Sequence, residues 1–197
     1  MNNETVKQAT QAQRREKVAY ERQQIENFDT DLRTEAKGNG LSPFAIKQLA
    51  DRYTTLKDPR TGLNYTNKEA RTYIFSALQR MAGTDDKVFE QMKALAASPG
   101  PEGIAPKGMT YGEFFEELNT AIDNVYKIRA EKNKLQDNLQ QEALNKKVQE
   151  LAASYNDNPV SAQELKEYRD KLLESDLGYV PPQLTALIAK AERNELG

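Results

Sequence analysis

Two adjacent acidic pairs, Asp85-Asp86 and Glu116-Glu117, are the residues best suited to acid–base chemistry in a chain that has no histidine and no cysteine. Carboxylates that face each other across a cleft can protonate a leaving group and activate water. Neighbours on a helix point about 100° apart, so neither pair converges on one substrate by spacing alone. Asp85 and Asp86 are expected in a first helical turn, where negative charge is favoured by the helix dipole. Without histidine the usual general base, the Ser-His-Asp triad and the commonest metal ligand are gone. Without cysteine so are thiolate nucleophiles, thiolate metal sites and disulfides. The enzymatic reading that survives is a glutamate-dependent cell-wall lytic domain, and Glu113 is committed to a helix cap. No catalytic residue, metal or cofactor is expected.

Other constellations are equally bare. Gly100-Pro101-Glu102-Gly103 and Gly108 lack phosphate-loop spacing, and their prolines remove backbone donors a phosphate would need. Asp157, between Asn156 and Asn158, has no following loop glycine or bidentate glutamate for calcium. Arg14, Arg15, Lys17 and Arg22 form the densest basic patch, interrupted by Glu16 and Glu21. Basic clustering is the footprint of nucleic-acid contact, but mixed signs usually mark a solvated helix face. At most weak, non-specific nucleic-acid contact is expected there. Tyr53, Tyr65, Tyr73, Tyr111, Tyr126, Tyr155, Tyr168 and Tyr179 are spread over many elements, mostly on apolar stripes or at caps, and packing explains them better than base stacking.

The elements holding these residues read as helices throughout. The chain has 197 residues, 38% hydrophobic and 29% charged, with a net charge of −2. That apolar share implies a thin core, or one completed by another chain. Residues 1–60 carry a net +2 and residues 109–197 a net −5, neither end basic enough for a dedicated nucleic-acid domain. No apolar run approaches the roughly 18 residues of a transmembrane helix, and the N-terminus lacks the apolar stretch of a secretory signal.

Residues 1–37 predict one long helix, with Val18, Ile25 and Leu32 every seven residues and Phe28 beside them. So narrow a stripe suits a helix lying on a partner. Residues 41–97 predict a three-helix unit. Ser42-Pro43 caps its first helix, and Ile46, Leu49, Ala50 and Tyr53 share one face. After the turn Asp58-Pro59-Arg60-Thr61-Gly62, Thr66 and Glu69 form a capping box, Gly83 reads as a left-handed stop, and Thr84 is expected to cap the third helix. Residues 98–109 predict a proline- and glycine-rich linker and the domain boundary. Residues 110–197 then read as a long helix followed by a C-terminal helical pair.

The long helix opens with a capping box of Thr110 and Glu113, with Met109 and Phe114 placed as a hydrophobic staple. A helix of roughly 45 residues would measure about 67 Å, against a diameter of roughly 40–45 Å for a compact chain of this size. It should therefore break near residues 132–138 or project as an arm bearing Leu135, Leu139, Leu144, Val148 and Leu151. In the final pair, Ser161 and Glu164 form a third box, Leu165, Tyr168, Leu172 and Leu173 share a face, and Pro181-Pro182 opens the last helix. Strand signals are absent. The expected fold is all-α, helical hairpins plus one or two long helices, extended rather than globular.

The segment NKKVQELAASYNDNPVSAQEL, residues 145–165, resembles helical-hairpin stretches of internal virion proteins from short-tailed bacteriophages, and the Asp58-Pro59-Arg60-Thr61 turn is similar in kind. The resemblance is one of pattern over residues 11–195 and transfers no individual residue role. It implies a core or ejection protein stacked on the portal inside the capsid, made in the host cytoplasm and delivered with the genome, where it helps build a conduit across the host envelope. Its implied partners are the portal and other core proteins. A cysteine-free chain would suit passage through a narrow tail.

The reading is thus a non-enzymatic structural protein, assembling as a homo-oligomeric ring or tube. The expected interface comprises Val18, Ile25, Phe28, Leu32, Leu135, Leu139, Leu144, Val148 and Leu151. A few buried leucines contribute only several kcal/mol at about 25 cal/mol per Å², which repetition around a ring makes sufficient. The alternative is a helical adaptor or regulator that binds a different protein and is monomeric or dimeric alone.

Overall fold

In a computed structural model, which describes residues 3–38 and 40–197, the chain is all-α. The helices are α1 (Asn3–Gly38), α2 (Pro43–Tyr53), α3 (Asn67–Ala82), α4 (Asp86–Ala97), α5 (Tyr111–Phe114), α6 (Glu116–Ser154), α7 (Ala162–Glu174) and α8 (Pro182–Leu196). No strand occurs among the described residues, although two isolated antiparallel bridges close turns. The chain divides into two compact units, Met1–Arg129 and Ala130–Gly197.

The first unit is built by caps and one continuous core. Ser42 Oγ accepts from the backbone N–H of Ala45 at 3.0 Å and starts α2. Between α2 and α3 the chain makes a tight hairpin: Asp58 N–H donates to Leu63 O at 2.9 Å and Tyr65 N–H to Leu56 O at 3.1 Å. Its turn closes with Gly62 at φ +73°, a conformation that costs glycine nothing. Asp58 is buried and accepts from Arg60 N–H at 2.9 Å. That bond first, and the Arg60 guanidinium second, hold its carboxyl below the usual range. Thr66 and Glu69 complete the expected capping box.

α3 and α4 pack as a hairpin, with Ile74, Phe75, Leu78, Val88, Met92 and Leu95 almost fully buried. Two local expectations fail at its turn. Gly83 has φ −58°, ordinary right-handed backbone, and the α4 cap is Asp85, whose side chain accepts from Val88 N–H at 3.2 Å. Arg129 Nη2 and Nε donate to Ala82 O at 2.7 and 3.0 Å, so the α3 C-terminus is held by a cation where a left-handed glycine was expected.

Residues 98–109 are not a boundary between units. Tyr111 N–H donates to Ser98 O at 2.6 Å and Gly100 N–H to Met109 O at 2.9 Å, so the loop is pinned at its base. Proline and glycine there make a closed excursion, and the division falls instead at 129/130 within α6. The capping box of Thr110 and Glu113 forms, but it caps the single turn α5. Phe115, at φ −102° and ψ 80°, breaks the helix before α6 begins. Gly112 fits there because a Cβ would collide with the Asn119 side chain and lie 2.9 Å from Ala96 Cβ. α6 is 39 residues long and continuous through residues 132–138.

The second unit packs α7 and α8 against the C-terminal part of α6. Val148, Tyr155, Ala162, Leu165, Leu184, Leu187, Ile188 and Ala191 form its core. Ser161 Oγ accepts from Glu164 N–H at 3.1 Å, giving half of the expected box. Glu195 accepts from Ala162 N–H at 2.9 Å, so α8 supplies a further cap for α7. Leu173, grouped above with the buried face, is exposed.

Candidate functional site

The acidic pairs resolve into structural roles or remain apart. Asp85 caps α4, and Asp86 pairs with Arg129 at 2.7 Å. Glu116 is exposed while Glu117 is half-buried with Oε2 unpartnered. Among the described residues, no three acidic side chains are placed to hold a metal ion.

The expected interface residues separate into three groups. Phe28 and Leu32 are fully buried in the first unit's own core. Phe28 lies 5.0 Å from the Tyr53 ring and 5.8 Å from that of Tyr73. Val148 is likewise buried in the second unit's core. These three are corrected: helices of the same chain cover them, leaving no surface for another copy. The stripe looked narrow because its continuation at Ala36, also fully buried, is small enough to be overlooked. Val18, Ile25, Leu144 and Leu151 are half-buried, and Leu151 packs against the second unit's core.

Leu135 and Leu139 stand apart from both cores. They are 59% and 56% exposed, within a stretch, residues 130–140, whose every side chain faces solvent. With Lys132 and Glu142 they follow a 3-4-3 spacing that lines up on one side of α6. Toward the C-terminal end of this helix an open pocket of about 590 Å³ is lined by Leu144, Lys147, Leu172 and Leu177 among others.

The basic patch is real but divided. Arg14, Arg15 and Arg22 are exposed around Val18 and Ala19, lining a shallow groove of about 310 Å³. Lys17 belongs to another groove with the buried Glu21 and the hairpin residues Thr55, Leu56 and Lys57.

The tyrosines converge more than their sequence positions indicate. Tyr53 lies between Tyr65 and Tyr73, with ring centroids 4.4 and 5.0 Å away and planes tilted by 27° and 25°. Tyr73 donates its hydroxyl to Asp29 Oδ1 at 2.8 Å, and Asp29 also pairs with Arg33 at 2.8 Å. Burial, then the bond to Asp29, pushes the Tyr73 hydroxyl up to about 12. Burial likewise raises Tyr53, with Tyr65 adding to the shift. The three rings share an open pocket of about 450 Å³ with Lys68, Glu69, Thr72, Ser76 and Arg80 of α3. The sequence signal for this face is the i+4 recurrence of Lys68, Thr72, Ser76 and Arg80, positions that lie off the apolar stripe of α3.

No protein-family model, characterised protein or solved structure matches the chain. No helix among the described residues is long and apolar enough to cross a membrane.

Proposed function

We propose that this is a non-enzymatic structural protein that self-assembles through the exposed leucine seam of α6. On the resemblance of residues 145–165, it is a component of the internal core or ejection apparatus of a short-tailed bacteriophage. In that reading it sits in the capsid interior beside portal or other core proteins and passes to the host envelope with the genome. The observation that carries the assembly reading is the exposure of Leu135 and Leu139 on a helix that otherwise presents only polar groups there.

The seam is self-complementary. If two copies of α6 cross antiparallel about residue 137, Leu135 of each faces Leu139 of the other. The same register sets Lys132 against Glu142, so apolar and charged pairs agree. Burying the exposed parts of four leucines contributes about 4–6 kcal/mol gross, while association costs about 4–15 kcal/mol. The pair alone is weak. A second contact per subunit, through the half-buried Val18 and Ile25 of α1, would turn pairs into a closed ring.

Chemical cross-linking tests the register directly. With Leu139→Cys introduced into this cysteine-free chain, oxidation should link Cys at that position inefficiently to itself, whereas Leu135→Cys mixed with Leu139→Cys should give the heterodimer in preference. Equal yields for all combinations would reject the antiparallel seam. A monomer that binds one different protein instead would support the adaptor alternative.

A further inference from the structure

Lys68, Thr72, Ser76 and Arg80 recur every four residues along α3. Successive members of the row are neighbours on the helix surface, and all four line one open pocket, over about 18 Å at 1.5 Å per residue. The row holds two cations and two hydroxyls. Among the described residues, neither Lys68 nor Arg80 takes part in an ion pair. Tyr65 and Tyr73 flank the row in the same open pocket. Tyr65 has Tyr53 as its ring partner and its other face meets no ring of the described residues.

We propose that this face of the first unit binds single-stranded nucleic acid. Lys68 and Arg80 meet phosphates, Thr72 and Ser76 donate to phosphate or sugar oxygens, and a base stacks on the part of Tyr65 that lines the open pocket. A cationic track beside aromatic rings is the arrangement that holds single strands without reading sequence. Two cations without ion-pair partners favour an anionic strand over a neutral sugar. The pocket's one carboxylate, Glu69, accepts both Thr66 capping bonds through Oε1, at 3.1 and 3.0 Å. The site lies on α3 and is independent of the α6 seam, so assembly and strand binding can fail separately.

The test is fluorescence anisotropy of a labelled oligothymidylate of about 12 nucleotides, within the usual site size, on the full chain at several salt concentrations. Lys68→Ala/Arg80→Ala should weaken binding about tenfold or more at low salt and lower the salt slope by about 1.4, at roughly 0.7 per phosphate contact on a single strand. Tyr65→Ala should weaken binding about 5- to 150-fold, the usual range for loss of one base stack, with helix content by circular dichroism as the folding control. Lys134→Ala/Lys146→Ala, with the same charge change at exposed positions of α6, should leave binding within about twofold, because those residues are outside the site. Absence of wild-type binding would overturn the proposal. So would equal losses in the two charge-removal variants, which would mean diffuse attraction. Heparin binding that is tighter than the oligonucleotide and indifferent to Tyr65→Ala would reassign the face to an anionic glycan.

Discussion

Tyr73 ties α3 to α1 through its bond to Asp29 while its ring packs on Tyr53 and Phe28. Replacing Tyr73 by phenylalanine keeps the ring and removes the hydroxyl, leaving Asp29 still paired with Arg33. The expected loss is about 0.5–1.5 kcal/mol, read as a lower midpoint in urea; a loss beyond about 3 kcal/mol would mean that the hydroxyl organises more than one bond. The raised Tyr73 and Tyr111 hydroxyls, each at about 12, also set a pH dependence. Their unfolded value is 10.0, so the unfolded chain loses these protons first. The stability they contribute is therefore complete below about pH 10 and is lost as pH rises through about 12. Tyrosinate absorbance should lag behind that of free tyrosine until the first unit opens. Titration of all tyrosines near pH 10 in a folded chain would contradict it. The aromatic stack itself was not legible in sequence, because Tyr53, Tyr65 and Tyr73 lie in two helices and a hairpin end, and only the Asp58–Gly62 turn brings them together.

The helices themselves were readable where local chemistry decides. Ser42, Thr66, Thr110 and Ser161 all cap as their side chains require, since a cap bond spans only three residues. Long-range packing decided the rest. Phe28 and Leu32 have the spacing of a partner-facing stripe, yet both are buried in the first unit's own core, Phe28 against rings of α2 and α3. Phe115 interrupts a run that no proline or glycine marks, and Arg129 replaces the left-handed stop expected at Gly83. Two variants separate the corrected stripe from the exposed seam. Phe28→Ala should cost about 3–5 kcal/mol, as for other large core truncations, and lower the melting temperature of the first unit at every concentration. Leu135→Asp/Leu139→Asp should leave thermal unfolding of dilute protein unchanged within about 0.5 kcal/mol, as for surface sites. A seam variant that unfolds at low concentration would place those leucines in a core.

Each compact unit has its own core, the first around Phe28, Leu78 and Leu118 and the second around Leu165, Leu184 and Ile188. Two cores of this kind predict two unfolding transitions. Leu184→Ala should lower the second unit's transition by about 2–5 kcal/mol and leave tyrosine exposure at Tyr53 and Tyr73 unaffected; a single transition shifted as a whole would show one cooperative body. The all-α class was legible from helix formers, caps and absent strand patterns. The division was not, because nothing in composition marks position 129/130 inside a continuous helix, while the conspicuous Pro/Gly segment turns out to be a pinned loop. The proposed function rests on assembly, and light scattering coupled to size-exclusion chromatography tests it most directly, on the wild-type chain and Leu135→Asp/Leu139→Asp over a range of concentration. The account predicts a discrete wild-type oligomer, a multiple of 22.3 kDa, that the double substitution dissociates. A wild-type monomer at every concentration, or an oligomer indifferent to both substitutions, would contradict it.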